Sequence, residues 1–266
     1  MKKIRLDILL SERGMIESRN LAQRIIMAGK VRVNGEIVDK PSAQVLESDE
    51  IIIKSQPRYV SRGGDKLEAG LLTFGLTQIN GKVCADVGAS TGGFTDCLLQ
   101  HGAKNVFAID VGTGLLHWKL RNDPRVILME KTNARFIAEL PQKIELATID
   151  ASFISLKTLL PVVKKWMVNE GMIIALVKPQ FEAGREISSR GKGVIRDPKI
   201  HLQVLKEITL FSYDSGFEIK GLIASPIIGP KGNREFLIYL SYPRHSQENG
   251  EIIFQRMILN NNQLGL

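Results

Sequence analysis

The sequence predicts an α/β fold with a mostly parallel seven-stranded sheet, preceded by a small α+β domain. Two observations predict this fold. From residue 81 onward, seven apolar segments of strand length alternate with helix-like segments, and the strands are apolar on both faces. Such strands are typical of a parallel sheet that helices cover on both sides. The first 55 residues instead combine two short helix-like segments with a hairpin signal.

The small domain is predicted to span residues 1–55. Its first helix lies in LDILLSERGM, where apolar residues recur at helical spacing. A second helix follows between Ser18, a residue type that caps helix N-termini, and Gly29, a type that ends helices. KVRVNGEIV then alternates apolar and polar residues around Asn34-Gly35, a strong hairpin signal, and DEIIIKS predicts a last strand.

A linker at residues 56–62 leads into the second domain, residues 63–266. The linker contains Pro57 and is followed by a glycine pair, which is typical of a break between domains. The strands of the second domain are predicted in KVCADVG, NVFAIDVG, RVILME, IELATIDASF, GMIIALVKPQF, EIKGLIASPI and REFLIYLSY. The C-terminal residues carry little signal and are predicted to form a short helix or a loose tail.

The net charge is +8 over 266 residues, which predicts a polyanionic partner, with nucleic acid ahead of an anionic membrane surface. No apolar segment approaches the ~20 residues of a membrane-spanning helix, and the charged N-terminus does not fit a signal peptide. We therefore expect a soluble, cytoplasmic protein with no membrane partner. Cys84 and Cys97 lie in apolar segments and are expected to be buried, reduced thiols.

Basic residues of the first domain are predicted to contact RNA phosphates, although a solvated helix face would look similar. The residues predicted to do so are Arg5, Arg19, Arg24, Lys30 and Arg32, and Arg13 is a further basic residue of the same domain. The domain has few aromatic residues, so it is expected to read backbone shape and not stacked bases. A second basic segment, SRGKGVIRDPK at residues 189–199, predicts either a mobile lid over RNA or a disordered loop. Its basic residues are Arg190, Lys192, Arg196 and Lys199.

Most of residues 5–53 resemble a small RNA-binding domain first recognised in a small-subunit ribosomal protein. The same domain is found in pseudouridine synthases and tyrosyl-tRNA synthetases. The resemblance rests on Arg5-Leu6-Asp7, Gly14, Ser18-Arg19, Ala22, Gly29-Lys30-Val31 and Val33-Asn34-Gly35. It implies that the N-terminal domain binds structured RNA.

DVGASTGGFTD, residues 86–96, joins the first strand of the second domain to the helix that follows. Phosphate, dinucleotides and S-adenosylmethionine are all bound at glycine-rich turns of this kind. The spacing of Gly88, Gly92 and Gly93 matches neither the G-x-G-x-x-G pattern of dinucleotide sites nor the Walker loop, which ends in Lys-Ser or Lys-Thr. The turn therefore disfavours dinucleotides and nucleoside triphosphates.

A second acid, Asp110, ends the next strand and lies 22 residues beyond Gly88. A carboxylate there can accept both hydroxyls of a ribose, while the helix N-terminus offers N–H groups to an amino-acid carboxylate. Asp86 alone would also fit a helix cap or a turn, and Asp110 alone would fit a loop. The two acids together predict S-adenosylmethionine as cofactor. The predicted cofactor-binding residues are Asp86, Gly88, Ser90, Thr91, Gly92, Gly93, Phe94, Asp110 and Asn133.

Four charged residues lie at strand ends or near turns and are the predicted catalytic set: Lys66, Asp150, Lys178 and Glu235. Asp150 and Lys178 each end an apolar strand, which places a charge where a parallel sheet opens to ligands. Such groups can orient a hydroxyl and stabilise it as its proton leaves. A buried structural ion pair is the alternative for each residue. Trp118 and Phe153 are predicted to lie in the core.

The four residues resemble the Lys-Asp-Lys-Glu tetrad of ribose 2′-O-methyltransferases of the FtsJ/RrmJ-like superfamily. With SRGGDKLEAGL, DVGASTGGFTDCLLQHGA, DASFISL, LVKPQFE and GPKGNREFL, the chain resembles the hemolysin A (TlyA) family over nearly its whole length. The resemblance implies a Rossmann-like methyltransferase that acts on the 2′-hydroxyl of cytidine in the RNA of a ribosomal subunit. It also implies that Lys178 acts near the hydroxyl proton, that Lys66 and Asp150 position it, and that Glu235 tunes the lysines. No metal is expected.

Three other functions remain as alternatives. An RNA base methyltransferase is the nearest, but the Asp150-Ala151-Ser152-Phe153 segment lacks the two prolines typical of amino-methylating enzymes. Carbon-methylating enzymes need a cysteine nucleophile, and the two cysteines lie in the first strand and the helix after it. A haemolysin or a non-catalytic ribosome-binding factor is disfavoured by the complete cofactor turn and tetrad.

Overall fold

The computed structural model describes residues 3–53, 58–229, 231–259 and 264, without the side chains of Arg185 and Arg190. The chain divides into two compact units, Met1–Pro57 and Arg58–Leu266. Residues 56 and 57 of the predicted linker lie outside the described residues. The rest of that predicted linker precedes or begins the first helix of the second unit.

The first unit, over residues 3–53, contains two helices and five short strands. They are β1 Lys3–Arg5, α1 Leu6–Glu12, α2 Arg19–Met27, β2 Val31–Val33, β3 Glu36–Ile37, β4 Gln44–Leu46 and β5 Ile51–Ile53. Strands β3, β2 and β5 form one antiparallel sheet, and β1 pairs with β4 in another. Apolar residues of both helices and of β2 and β4 make its separate core.

Local signals in this unit behave as the sequence predicts. The Ser18 side chain accepts a hydrogen bond from the Leu21 backbone N–H and so caps α2. Asn34 and Gly35 have positive φ angles of 52° and 86°, the conformation that a tight hairpin requires. The β1–β4 pairing was not predicted, because three-residue strands leave no detectable period in the sequence.

The second unit alternates strands with helices. Its strands are β6 Val83–Val87, β7 Asn105–Ile109, β8 Val126–Met129, β9 Ile144–Ile149, β10 Met167–Val177, β11 Glu218–Ala224 and β12 Phe236–Tyr242. Its helices are α3 Arg62–Thr73, α4 Gly93–Gln100, α5 Trp118–Arg121, α6 Leu156–Trp166, α7 Pro179–Glu182, α8 Arg185–Arg190, α9 Pro198–Asp214 and α10 Gly250–Leu259, with a 3₁₀ turn at Ala134–Phe136.

These strands form a seven-stranded sheet in the described residues, with the order β11-β12-β10-β9-β6-β7-β8. The five strands from β10 to β8 are parallel, and β12 runs antiparallel between β10 and β11. This is the mostly parallel sheet that the sequence predicts. The strand order reverses between β6 and β9, which is where open α/β sheets bind their ligands.

Apolar side chains cover both faces of the sheet. Helices α6, α9 and α10 contribute to the core on one face, and α3 and α4 contribute to the core on the other. Helix α5 has only four residues. The C-terminal segment forms the ten-residue α10, which is the short helix of the two predicted alternatives. Among the described residues no helix is long and apolar enough to cross a membrane.

Candidate active site

A cavity of about 940 Å³ opens at the edge of the second unit where β6, β9 and β10 end. The four residues of the predicted catalytic set all line it. Asp150 and Lys178 directly follow β9 and β10, which are neighbouring parallel strands and so end at the same edge. Glu235 directly precedes β12, whose first residue pairs with the last residue of β10 in the antiparallel register.

Lys178 and Asp150 form an ion pair, with 2.6 Å between Nζ and a carboxylate oxygen. The lysine is 8% exposed. Its Nζ also lies 3.1 Å from the Ser152 hydroxyl oxygen and 3.4 Å from the Asp150 carbonyl oxygen. Three acceptors on one short loop therefore hold the ammonium group at the cavity wall.

Lys66 and Glu235 form a second ion pair, with 2.6 Å between Nζ and a carboxylate oxygen. Both side chains are almost fully buried. Lys66 lies on α3, whose N-terminus is capped by the Ser61 hydroxyl. Because an unpaired charge is costly to bury, removal of either side chain would leave the other without the partner that compensates its burial.

The glycine-rich turn lies beside these pairs and owes its glycines to close backbone packing. A Cβ on Gly88 would lie 2.7 Å from the Asp150 carbonyl oxygen. One on Gly93 would lie 2.3 Å from the Ser61 hydroxyl oxygen and 2.8 Å from the Gly64 nitrogen. The glycines thus let the turn contact both the β9 loop and the start of α3.

Asp86 is fully buried and does not reach the cavity. Its carboxylate accepts hydrogen bonds from the hydroxyls of Thr95, at 2.6 Å, and Thr148, at 3.1 Å. Burial raises the pKa of Asp86 to about 7. The structure places this predicted cofactor-binding residue beneath the turn, where it ties β6 to α4 and β9.

Asp110 directly follows β7 and receives backbone N–H groups on both carboxylate oxygens. Ser90 donates at 2.8 Å and Gly112 at 2.7 Å. Asn133 caps the 3₁₀ turn by accepting from the Arg135 N–H. Of the predicted cofactor-binding residues, those that line the cavity are Gly88, Ser90, Thr91, Gly93 and Phe94.

The turn has the chemistry that S-adenosylmethionine requires. Residues 86–96 contain no lysine or arginine, which fits a ligand with an amino-acid tail better than a polyphosphate. The turn leads into the N-terminus of the eight-residue α4, where N–H groups and the helix dipole favour a carboxylate. The Asp110 carboxylate is close enough to the turn to serve as the acceptor for ribose hydroxyls.

Two aromatic residues that were predicted to lie in the core are exposed. Phe153 is 90% exposed and lines the cavity, and its ring centroid lies 4.9 Å from that of Phe181. Trp118 is 71% exposed on α5. Both predictions were wrong because each residue lies in a loop or a short helix, where hydrophobicity alone does not report burial.

Three non-glycine residues that line the cavity have positive φ angles: Ser90 at 50°, Phe153 at 64° and Lys192 at 51°. Such conformations are sparsely populated, and they persist only where the surrounding structure imposes them. The concentration of backbone strain around one cavity is typical of a functional site.

The predicted RNA-binding residues are distributed over both units. In the first unit, Asp7 accepts hydrogen bonds from Arg5, Arg19 and Gln23, and Arg5 above all holds the pKa of Asp7 below its usual range. Arg24 and Arg32 are exposed, and Lys30 is half-buried. In the second unit Lys192 lines the cavity and Arg196 is exposed, while the Arg190 side chain lies outside the described atoms.

Sequence reasoning did not single out several residues that shape the cavity. Ser152 contacts Lys178, and Phe181 contacts Phe153. Both lie in stretches that carry the family resemblance, DASFISL and LVKPQFE, but those stretches assigned them no role. Asn233 is buried, and its side-chain amide accepts from the Ile195 N–H and donates to the Gly193 carbonyl. It thereby fastens the predicted lid segment to the loop before β12.

Comparison with known proteins agrees with this geometry. The family model of FtsJ-like methyltransferases matches residues 59–242, and the S4 domain model matches residues 4–51. The protein YqxC of Bacillus subtilis, which is named as an rRNA methyltransferase, is 50% identical to this chain over 255 residues. The match covers 94% of this chain and 90% of that protein. This chain belongs to the TlyA/hemolysin A family of FtsJ-like methyltransferases.

Two other known proteins also match most of this chain. The 16S/23S rRNA (cytidine-2′-O)-methyltransferase TlyA of Mycobacterium tuberculosis is 40% identical over 243 residues, which cover 90% of each chain. A solved structure of a protein from Streptococcus thermophilus that is named a hemolysin matches this chain with a TM-score of 0.72 and 45% sequence identity. The match covers 98% of this chain and 96% of the Streptococcus chain. The N-terminal unit is thus an S4 domain, and the larger unit is a methyltransferase domain that uses S-adenosylmethionine.

Proposed function

We propose that this protein transfers a methyl group from S-adenosylmethionine to the 2′-hydroxyl of cytidine in ribosomal RNA, within an assembled ribosomal subunit. The observation that carries the proposal is the pair of lysine–carboxylate contacts, Lys178–Asp150 and Lys66–Glu235, that line one cavity beside the glycine-rich turn. A substrate of this kind implies that the protein works in the cytoplasm.

The residues that hold the cofactor are proposed to be those of the turn and the strand beside it. The first-turn N–H groups of α4 would bind the amino-acid carboxylate, and Asp110 would bind the ribose hydroxyls. Asp86 supports the turn from below through Thr95 and Thr148. S-adenosylmethionine, when bound, supplies a methyl group on a sulfonium that leaves as a neutral thioether.

Lys178 is proposed to act on the attacking oxygen. A ribose 2′-hydroxyl is a weak acid, and negative charge grows on its oxygen as its proton leaves. A positive Nζ held at the cavity wall by Asp150 and Ser152 can hydrogen-bond that oxygen and stabilise the charge. The Asp150 carboxylate, 2.6 Å from Nζ, is an acceptor within reach of the displaced proton.

Lys66 and Glu235 are proposed to complete the electrostatic environment. Glu235 neutralises Lys66 and packs against Gly229, where a Cβ would lie 2.6 Å from a Glu235 carboxylate oxygen. Since both side chains are buried, their mutual hydrogen bond also holds Lys66 in a fixed orientation. Lys66 would thereby offer a second oriented hydrogen-bond donor to a hydroxyl bound in the cavity that it shares with Lys178.

Phe153 is proposed to contact the target nucleotide. Its ring is exposed at the cavity and packed against Phe181, which leaves one face available to a base. Aromatic rings stack on unpaired bases with little dependence on base identity. Selection of the nucleotide would then depend on how the S4 domain and the basic residues around Lys192 engage the folded RNA.

The proposal is tested with labelled S-adenosylmethionine and undermethylated 30S and 50S subunits, incubated separately with the purified protein. The RNA is digested to nucleosides and analysed by mass spectrometry. We expect 2′-O-methylcytidine with the wild type and none above background with Lys178→Ala. Lys220→Ala, which removes an exposed lysine on β11, is the matched control and should retain activity.

Each other outcome contradicts a defined part of the proposal. A methyl group on a base would identify an RNA base methyltransferase. Full activity of Lys178→Ala would remove the proposed role of the tetrad. No transfer to either subunit, with cofactor binding intact, would indicate a different RNA or a binding factor that has lost catalysis.

A further inference from the structure

Glu182 is a half-buried acid that plays no part in the mechanism above. It is the last residue of α7, four residues after Lys178. Its side chain does not line the cavity. One carboxylate oxygen accepts from the Leu156 N–H at 2.8 Å, and the other accepts from the Ser155 hydroxyl. Glu182 therefore connects the segment after β10 to the start of α6.

The partners of Glu182 end the loop that carries the active-site groups. Residues 150–155 run from β9 to α6 and contain Asp150, Ser152 and Phe153. The loop contacts the β10 side at three points: Asp150 and Ser152 at Lys178, Phe153 at Phe181, and Ser155 at Glu182. The first two contacts face the cavity. In the third, Ser155 lines the cavity and Glu182 does not.

The loop needs such a restraint because its own conformation is strained. Phe153 has a φ of 64°, which is unfavourable for an aromatic residue and persists only if the neighbouring structure imposes it. A loop restrained at one end only would relax toward an ordinary conformation. Relaxation would move the Phe153 ring and the Asp150 carboxylate together, since they are three residues apart.

Glu182 is well suited to hold the loop. Desolvation raises the pKa of Glu182 above its usual range, so its burial opposes ionisation, and the hydrogen bonds from Ser155 and Leu156 are what favour the carboxylate. The Ser155 hydroxyl meanwhile accepts from the Lys157 N–H, so the two side chains satisfy two N–H groups at the start of α6. Loss of Glu182 would leave a buried N–H unpaired.

We propose that Glu182 is a positioning residue that holds the 150–155 loop in the conformation in which Asp150 contacts Lys178 and Phe153 faces the substrate. This inference rests on the proposed function for its effect on catalysis. The effect of Glu182 on the loop conformation is independent of the proposed function and is measured separately.

The test compares Glu182→Ala and Glu182→Gln with Glu207→Gln as matched control. Glu207 pairs with Lys157 at the start of α6 but contacts no residue of the loop in the described structure. We expect Glu182→Ala to lower kcat for subunit methylation about 10- to 100-fold, because small displacements of reacting groups have effects of this size. Its Kd for S-adenosylmethionine should stay within about twofold of the wild type, since the turn is untouched.

The conservative variant separates positioning from charge. The amide oxygen that Glu182→Gln introduces can still accept from the Leu156 N–H, so at least about a third of the wild-type kcat should return. Backbone amide hydrogen exchange measures the stability of the loop conformation independently of methyl transfer. In Glu182→Ala the amides of residues 150–156 should exchange at least about tenfold faster, with no change in residues 86–96.

Three results would overturn the inference. Unchanged exchange in residues 150–156 of Glu182→Ala would show that the loop does not depend on Glu182, whatever the enzyme methylates. Faster exchange with an unchanged kcat would reduce Glu182 to a helix cap. Equal losses of cofactor binding and methyl transfer would indicate general unfolding. Failure of the wild type to form 2′-O-methylcytidine would instead contradict the proposed function and leave the exchange result standing.

Discussion

Gly88 and Asp150 are in direct backbone contact: a Cβ on residue 88 would lie 2.7 Å from the Asp150 carbonyl oxygen. They follow β6 and β9, the neighbouring strands at which the strand order of the sheet reverses. The turn proposed to hold the cofactor therefore packs directly against the backbone of the acid proposed to orient Lys178.

Gly88→Ala should impair both stability and catalysis. Residue 88 has a φ of 86°, and the added Cβ would also displace the Asp150 backbone. We expect a loss of more than about 1 kcal/mol in the free energy of unfolding and a fall of at least about tenfold in kcat. Urea denaturation and subunit methylation measure the two effects.

Gly81→Ala is the control for this variant. Gly81 also has a positive φ, of 77°, but a Cβ there would meet nothing within 4 Å. Because alanine is strained at a positive φ, Gly81→Ala should also lower the free energy of unfolding, but its kcat should equal that of the wild type. Equal kcat values for the two variants would mean that contact with Asp150 is unimportant.

Lys66→Met should destabilise the fold, because it leaves the buried Glu235 carboxylate without its partner. Breaking a buried ion pair from one side costs about 3–5 kcal/mol. The double variant Lys66→Met/Glu235→Gln should recover much of this loss and still lack methyl transfer. Denaturation of the single and double variants separates the two roles, and activity in the double variant would exclude a catalytic one.

Phe153→Ala should weaken the binding of RNA and leave the binding of S-adenosylmethionine unchanged. Stacking of one base on an aromatic side chain is worth about 1–3 kcal/mol, which corresponds to a rise in KM for the subunit of about 5- to 150-fold. The Kd for S-adenosylmethionine should not change. Leu72→Ala, at an exposed apolar residue of α3 outside the cavity, is the control. An unchanged KM for Phe153→Ala would assign the base contact elsewhere.

Asp86→Asn should change how stability depends on pH. Burial raises the pKa of Asp86 to about 7, above the ordinary value of 3.8 for an aspartate. Folding therefore favours the protonated form, and this contribution is complete below the ordinary pKa and is lost as pH rises through about 7. Asparagine does not titrate, so the variant should gain on the wild type by up to about 1.4 kcal/mol per pH unit across this interval.

Asp123→Asn should show the opposite trend. Arg125 lowers the pKa of Asp123, so the wild-type carboxylate contributes stability above its ordinary pKa and loses it as pH falls. Urea denaturation between about pH 2 and 8 measures both variants, because Asp123 titrates below its ordinary pKa and Asp86 above its own. If the free energy of unfolding depended on pH in the same way in both variants, the carboxyl of Asp86 would have an ordinary pKa.

Much of the fold could be predicted because its signals are local. The apolar strand segments and the capping residue Ser18 depend on neighbours in sequence, and the structure has the mostly parallel seven-stranded sheet that they indicate. The four residues of the predicted catalytic set line one cavity. Two of them, Asp150 and Lys178, could be singled out because each ends an apolar strand segment. Their pairing with each other could not be predicted, because it depends on strand order.

The errors share a physical cause. Phe153 was predicted to be buried from its hydrophobicity, but a positive φ and a contact with Phe181 direct its ring to the cavity. Asp86 was predicted to bind the cofactor from its place before the turn, but alternation along β6 directs its carboxylate to Thr95 and Thr148. Side-chain direction depends on backbone conformation and neighbours that a motif does not contain.

The sequence by itself determined the type and order of the strands and helices, the S4-like character of the N-terminal unit and the residue types of the tetrad, because periodicity, capping and charge are properties of neighbouring residues. Only the tertiary structure decided that Lys178 pairs with Asp150 and Lys66 with Glu235, and that Glu182 contacts the start of α6. The members of each of these contacts lie at least 26 residues apart. Strand order and antiparallel register, which sum many weak long-range interactions, bring them together.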